Sequence, residues 1–409
     1  MGEIKKNKIG KKVLIVFGVI LGILLIAMIF NFNRLQRLYR AINLFNSDVI
    51  VENFRAAGDK FASRTIHHGP NVFTFKQDIK KLPEEYTFNG KKKSVSDFID
   101  HTGTTGLIVV KDDIILFEKY YQGNTEASKA ISWSVAKSFV SALFGIAVSE
   151  GSIKDINQPV TDYLPLLKNS GYNGVSIKNV LQMSSGIRFN EDYADFNSDI
   201  NKMGRYFALN MPLADFVASL KAEKKPGTFH HYVSMDTQVL GMILREATGK
   251  TLSAYAEEKL WKPLGMESDA YWNIDGSGME GAFGFLNVTL RDYARFGRLY
   301  LKKGNWNGKQ IVPEAWVKAS VTPDAPHLMP GKRPNASWVL GYGYQWWIPE
   351  NPDGEYLAIG IYGQAIYVYP RYNIVIAKTS AYADYNKDGS DMEIESIEMF
   401  RAIARDLGR

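Results

Sequence analysis

An eighteen-residue run from Val13 to Phe30 without a single polar side chain constrains this chain more than any other feature. As a helix rising about 1.5 Å per residue it covers about 27 Å, the depth of a bilayer's hydrocarbon core, where a lone segment must satisfy its backbone hydrogen bonds internally. Lys5, Lys6, Lys8, Lys11 and Lys12 precede the run, and Arg34, Arg37 and Arg40 follow it. A cleavable leader has a shorter apolar region with a small-x-small site beyond it, whereas this run closes on "IAMIFNFNR". The chain has no cysteine, so a lipid anchor on that residue type is excluded. The reading is a basic cytoplasmic tail over 1–12, a transmembrane anchor over 13–31, a connector over 32–66 and an exported domain over 67–409. The denser positive flank stays inside.

The net charge of +6 belongs to that topology. Eight cations and one anion lie in the first 40 residues, against 41 cations and 42 anions in the rest. A basic balance of this origin gives no support to nucleic-acid binding. The missing cysteines also exclude disulfides and thiolate chemistry.

Beyond the connector, "TGLIVVKDDIILFEKYYQG" (105–123) reads as a β-hairpin turning at Lys111-Asp112-Asp113. A helix follows from Ser134 to Glu150, ended by Gly151. Near the end, "YLAIGIYGQAIYVYP" and "YNIVIAKTSA" form a second hairpin turning at Pro370-Arg371, and "MEIESIEMFRAIARDL" closes the chain as an amphipathic helix. Strands at both ends with helices between them predict an α+β fold. Its antiparallel sheet combines N- and C-terminal segments, flanked by helices and interrupted by a mostly helical insertion.

The helix at 134 carries the chemistry. In "ISWSVAKSFV" an offset of three puts Ser134 and Lys137 on one helical face, about 5–6 Å apart at Cβ. A serine hydroxyl is a weak nucleophile until a base takes its proton, and a lysine desolvated by apolar neighbours can be that base. The helix start favours the negative charge that develops there. This is the chain's one Ser-x-x-Lys, but the spacing alone also suits a lysine that snorkels to solvent.

The stretches "SWSVAKSFVSALFGIAVSEGSIKDINQPVTDYLP", "NVLQMSSGIRFNEDY" and "KKPGTFHHYVSMDTQVLGMILREATGKTLSAYAEEKLWKPLGME" decide between those readings. Together they resemble the serine β-lactamase-related hydrolases, from about residue 100 to the C-terminus. That family includes class C β-lactamases, family VIII carboxylesterases, D-alanyl-D-alanine carboxypeptidases and 6-aminohexanoate-dimer hydrolases. "FNEDYADFNSD" and "GYGYQWW" look most like the last branch. The resemblance implies a β-lactamase/transpeptidase-like fold and an acyl-enzyme on Ser134, with Lys137 as its base. Tyr232 shares that proton, its phenol made useful by a neighbouring ammonium. The family's Tyr-x-Asn falls on Tyr232-Val233-Ser234, so Ser234 stands where an asparagine usually contacts substrate. Its Lys-Thr-Gly falls on Ile361-Tyr362-Gly363. Tyr362 and Gly363 are therefore candidate substrate-side residues, and the N–H near Gln364 is a candidate oxyanion donor. Losing that lysine and threonine argues against efficient β-lactam recognition.

Around this core, Glu191, Asp192 and Tyr193 occupy the segment where related dimer hydrolases carry a substrate loop, with Tyr193 as the contact. Trp346 and Trp347 are candidates for the cleft wall, Trp346 first. The adjacent His230 and His231 point to opposite sides of an extended segment, so no metal or other cofactor is expected. The expected partners are the membrane and a small amide, ester or peptide-like substrate. The expected function is an exported serine hydrolase acting on a short linear oligoamide or peptide-like amide, or on an ester. Carboxylesterase, D-alanyl-D-alanine peptidase or β-lactamase action, or a non-catalytic peptide-binding protein on the same fold, remain as alternatives.

Overall fold

Asp112 and Asp113 both take positive φ, the demand a tight two-residue hairpin turn makes of its central residues. They join β2 (Thr104–Lys111) to β3 (Ile114–Tyr120) in the computed structural model, which describes residues 2–350 and 353–409, with side chains from Lys11 onward. Among the described residues the main sheet has eight strands. Besides β2 and β3 these are β1 (Lys76–Gln77), β4 (Gly341–Tyr342), β5 (Trp347–Ile348), β6 (Tyr356–Gly360), β7 (Gln364–Tyr369) and β8 (Ile374–Ser380), in the order β4-β5-β6-β7-β8-β2-β3-β1. The C-terminal β8 pairs antiparallel with β2, which joins the two ends of the domain as the sequence reading requires. The sheet is mixed, because β1 runs parallel to β3 at its edge.

One difference from the sequence reading bears on the site. "YLAIGIYGQAIYVYP" is two strands, not one. The chain reverses at Ile361–Gly363, where Tyr362 takes φ +62° and Gly363 φ +90°. A Cβ on Gly363 would meet Lys378 and Ser380 beneath it, so only glycine fits that turn.

Alternation in the central strands divides the core into two layers. Ile108 and Val110 of β2 face one side with α3 (Ala136–Ser149) and α6 (Leu290–Leu301). Leu107 and Val109 face the other with α7 (Tyr385–Leu407). Helix α3 is buried on all sides from Ala136 to Ala147, so it threads the core and fixes whatever precedes it. Gly151, at φ +76°, stops the chain just past it. Between the two halves of the sheet lie α4 (Asp199–Ala208) and α5 (Ser234–Thr248) with their loops.

The N-terminal α1 (Gly2–Ile42) runs past the apolar stretch without a break at the 31/32 boundary. Its span from Lys11 is long and apolar enough to cross a membrane, and its most apolar window is unburied by the rest of the chain. The Arg37 guanidinium donates to the carbonyl of Phe207 on α4 at 3.1 Å, so the far end of α1 docks on the domain. A short α2 (Ile50–Arg55) follows it.

Candidate active site

Ser134 lies in a single 3₁₀ turn, Trp133–Val135, that feeds into α3. Trp133 takes φ +43°, a region that costs a bulky residue about 1 kcal/mol or more. Such strain persists only where surrounding packing overdetermines it, and here it presents the next hydroxyl to a cleft of about 490 Å³.

Lys137 is 2% exposed, and its Nζ lies 2.8 Å from Ser134 Oγ and 2.6 Å from the carbonyl oxygen of Phe283. Burial lowers its pKa to about 7, against the opposing pull of the Glu191 carboxylate. The amine can therefore hold an N–H on Phe283 while its lone pair receives the serine proton. Tyr232 completes the triangle. Its ring lies 5.1 Å from the Lys137 Nζ, its hydroxyl shares a hydrogen bond with Ser134, and it stacks on Trp347 at 5.2 Å. The phenol is pushed up, not down, by burial and then by the Glu191 charge, despite the Ser134 hydrogen bond. At neutral pH the phenol therefore keeps its proton.

Glu191 organises the next layer. Ser234 donates to it twice, from its hydroxyl at 2.5 Å and from its N–H at 3.1 Å, and the Tyr193 hydroxyl donates at 2.8 Å. Ser234 is the first residue of α5, so the carboxylate also satisfies an orphan N–H at a helix start. Tyr193 lines the cleft. Ser234 does not: its hydroxyl is held by Glu191.

The third motif is placed differently from the sequence expectation. Of Ile361, Tyr362, Gly363 and Gln364, only Ile361 lines the cleft. The Tyr362 ring is outside that lining, stacked on Phe45 at 5.1 Å and tilted by 35° against Tyr385 at 5.0 Å. The Gln364 amide is spent on β8, donating to the Ser380 carbonyl at 2.5 Å and accepting from its N–H at 3.0 Å. A Cβ on Gly360 would sit 3.2 Å from the backbone nitrogen of Ser134, so the end of β6 lies directly against the Ser134 turn. Trp346 is fully buried, 4.3 Å from the ring of Tyr300 in the core, and Trp347 lines the cleft in its place.

Sequence reasoning missed the first turns of α7, which form the far wall of the cleft from Tyr385 to Glu393. The Tyr385 hydroxyl donates to Glu393 at 2.7 Å, and burial raises that carboxyl to about 7. A signal was present, because Glu393 falls on the same helical stripe as Met392, Ile397 and Phe400. His230 is fully buried, and burial lowers it to about 3, while the His231 ring contacts the carbonyl of Phe189 at 2.8 Å.

With this geometry described, comparison with known proteins settles the family. The profile described as Beta-lactamase matches residues 92–396. The chain belongs to the beta-lactamase family. A 6-aminohexanoate-dimer hydrolase of Paenarthrobacter ureafaciens is 31% identical over 294 residues, covering 70% of this chain and 74% of the relative. A solved structure from Bacillus anthracis, described as a 6-aminohexanoate-dimer hydrolase, superposes with TM-score 0.80 at 25% identity, over 89% of this chain and 96% of that one. A penicillin binding protein from Bacillus halodurans shares the fold at 17% identity and TM-score 0.56, over 74% of this chain and 99% of its own. This beta-lactamase-family protein is a hydrolase of the serine β-lactamase-related group, with the fold the sequence resemblance implied.

Proposed function

We propose that this protein hydrolyses an amide or ester through an acyl-enzyme on Ser134. The observation that carries the reading is the buried Lys137 amine, 2.8 Å from Ser134 Oγ and close to half-deprotonated at neutral pH. Ser134 Oγ attacks the substrate carbonyl as its proton passes to Lys137 Nζ. The oxyanion that forms is held by backbone N–H groups, that of Ser134 and one from the adjoining β6–β7 turn between Ile361 and Gln364, whose Gly360 end lies against the Ser134 nitrogen. The C–N or C–O bond then breaks. The Tyr232 hydroxyl protonates the leaving group and recovers a proton from Lys137. Water, deprotonated along the same path, releases the acid and restores Ser134.

A short linear oligoamide is the favoured substrate. The P. ureafaciens relative is a hydrolase of 6-aminohexanoate dimer, and Ile361-Tyr362-Gly363 lacks the lysine and threonine that would hold a β-lactam carboxylate. The basic residues before α1's apolar run favour a cytoplasmic N-terminus with the hydrolase domain exported. One panel tests the reading: a short-chain nitrophenyl ester, a linear aminohexanoate dimer, a D-alanyl-D-alanine peptide and a chromogenic cephalosporin, each given to wild type and Ser134→Ala. Serine-dependent turnover of the dimer or ester, with slow cephalosporin cleavage, is expected. Equal background rates for both proteins on all four would overturn it in favour of a binding role.

A further inference from the structure

The segment joining α1 to the domain reaches the catalytic turn. Phe45, three residues beyond the end of α1, stacks on Trp133 at 5.4 Å with planes 29° apart and on Tyr362 at 5.1 Å with planes 15° apart. Phe54 of α2 meets the same two rings edge-on, both at 5.2 Å. These two rings belong to residues held at positive φ immediately beside functional positions. Trp133 precedes Ser134, and Tyr362 follows Ile361. Ring packing is what holds Trp133, because among the described residues its buried indole N–H has no hydrogen-bond partner. The clamp is itself anchored. Asn53 donates to the carbonyls of Asn43 and Leu44 at 2.8 and 3.1 Å, Lys60 donates to Asn53 at 2.5 Å, and Arg40 of α1 donates to the Lys60 carbonyl at 2.7 Å.

We propose that Phe45 is a positioning residue for the acyl-transfer site. Capping Trp133 and Tyr362, whose own rings lie 6.1 Å apart, it locks the left-handed backbone on both sides of the oxyanion position, so the connector is part of the catalytic apparatus and not only a tether. A left-handed bulky residue relaxes when its packing is removed. Relaxation at Trp133 moves the Ser134 N–H and Oγ, and relaxation at Tyr362 moves Ile361. A shift of about 1 Å at such a site costs about a hundred-fold in rate with little effect on binding. Phe45 itself lines no part of the cleft and is 39% exposed, so shortening it leaves the main core and the substrate wall intact.

The inference rests on the proposed serine chemistry, and its test separates the two. Full-length protein in detergent is compared as wild type, Phe45→Ala, Phe45→Tyr and Ser134→Ala. The readouts are steady-state hydrolysis of the nitrophenyl ester and the rate of covalent labelling by a fluorophosphonate, in which Ser134 Oγ bonds to phosphorus as fluoride leaves. The expected result is a fall of about ten-fold or more in kcat and in labelling rate for Phe45→Ala, with KM within about two-fold and the Tyr variant near wild type. The thermal midpoint of Phe45→Ala should stay within about 2 °C of wild type. Should that variant lose its folding transition, Phe45→Leu, which keeps bulk without a stacking plane, carries the comparison with the same expectation. Wild-type kcat and labelling in the variant would overturn the inference while leaving the serine chemistry standing. A wild type that neither turns over nor labels at Ser134 would overturn the serine chemistry and this inference with it.

Discussion

At the scale of single residues, the account turns on where one proton sits. Lys137 must be neutral to accept the Ser134 proton, and its pKa of about 7 places the acid limb of kcat/KM there. Glu191 holds that limb up, because its negative charge favours the protonated amine. Glu191→Gln is therefore expected to shift the limb toward lower pH while keeping the acceptor for Ser234 and Tyr193. A pH profile with an unmoved limb would remove Glu191 from this role. Tyr232→Phe keeps the stacking on Trp347 but deletes the donor to the leaving group, and should lower kcat by about 10²–10⁴-fold with folding unchanged. That Ser134, Lys137 and Tyr232 meet was legible in the sequence, through the helical offset of the first two and the motif order of the resemblance for the third. Glu191's grip on Ser234, 43 positions downstream, was not, since no local periodicity relates the two. The exchange of Trp346 for Trp347 was equally hidden, because Trp346 lies just outside the two-residue β5 and no strand alternation assigns its face.

At the scale of elements, α3 and the β6–β7 turn do most of the positioning, and the strands beneath that turn carry an unusual cost. Lys378 on β8 is fully buried under Gly363, whose carbonyl, at 3.4 Å, is its one acceptor among the described residues, and burial lowers its pKa to about 7. The unfolded chain holds this proton up to about pH 10.4, so between pH 7 and 10.4 it binds more protons than the folded one. Stability therefore rises with pH across that window, by about 1.4 kcal/mol per pH unit for each such lysine, and Lys137 behaves alike. Below pH 7 both states are protonated and the contribution is flat. Lys378→Met should stabilise the fold by about 1–4 kcal/mol at neutral pH and flatten this slope by about one proton. Denaturant titrations at pH 7 and 9 check both, and an unchanged slope would place Lys378 in contact with solvent. The hairpins at 112–113 and 370–373 were readable from turn chemistry. The reversal at Tyr362 was not, because an aromatic residue at φ +62° contradicts local preference and is imposed by the rings packed around it.

At the scale of the whole molecule, a single chain joins a helix fit for a membrane to a beta-lactamase-family domain, and the proposed topology puts that domain outside. Full-length protein should sediment with membranes and resist a carbonate wash, and protease added outside should digest the domain. A soluble form beginning after residue 30 would identify the helix as a cleaved leader. The sheet's composition from both chain ends was legible, since strand-rich segments bracket the helical middle. The closing of the cleft by α7 was not, because the docking of a terminal helix follows from the whole core. The central claim is that Ser134 becomes acylated during turnover. Its most direct test is the intact mass of wild type and Ser134→Ala quenched during hydrolysis of the ester or the aminohexanoate dimer, followed by mapping of the modified peptide. The account predicts an increment equal to the acyl group, on Ser134 alone, absent from the alanine variant, which also loses turnover. Undiminished turnover by Ser134→Ala, or an adduct mapped to another residue, would contradict it.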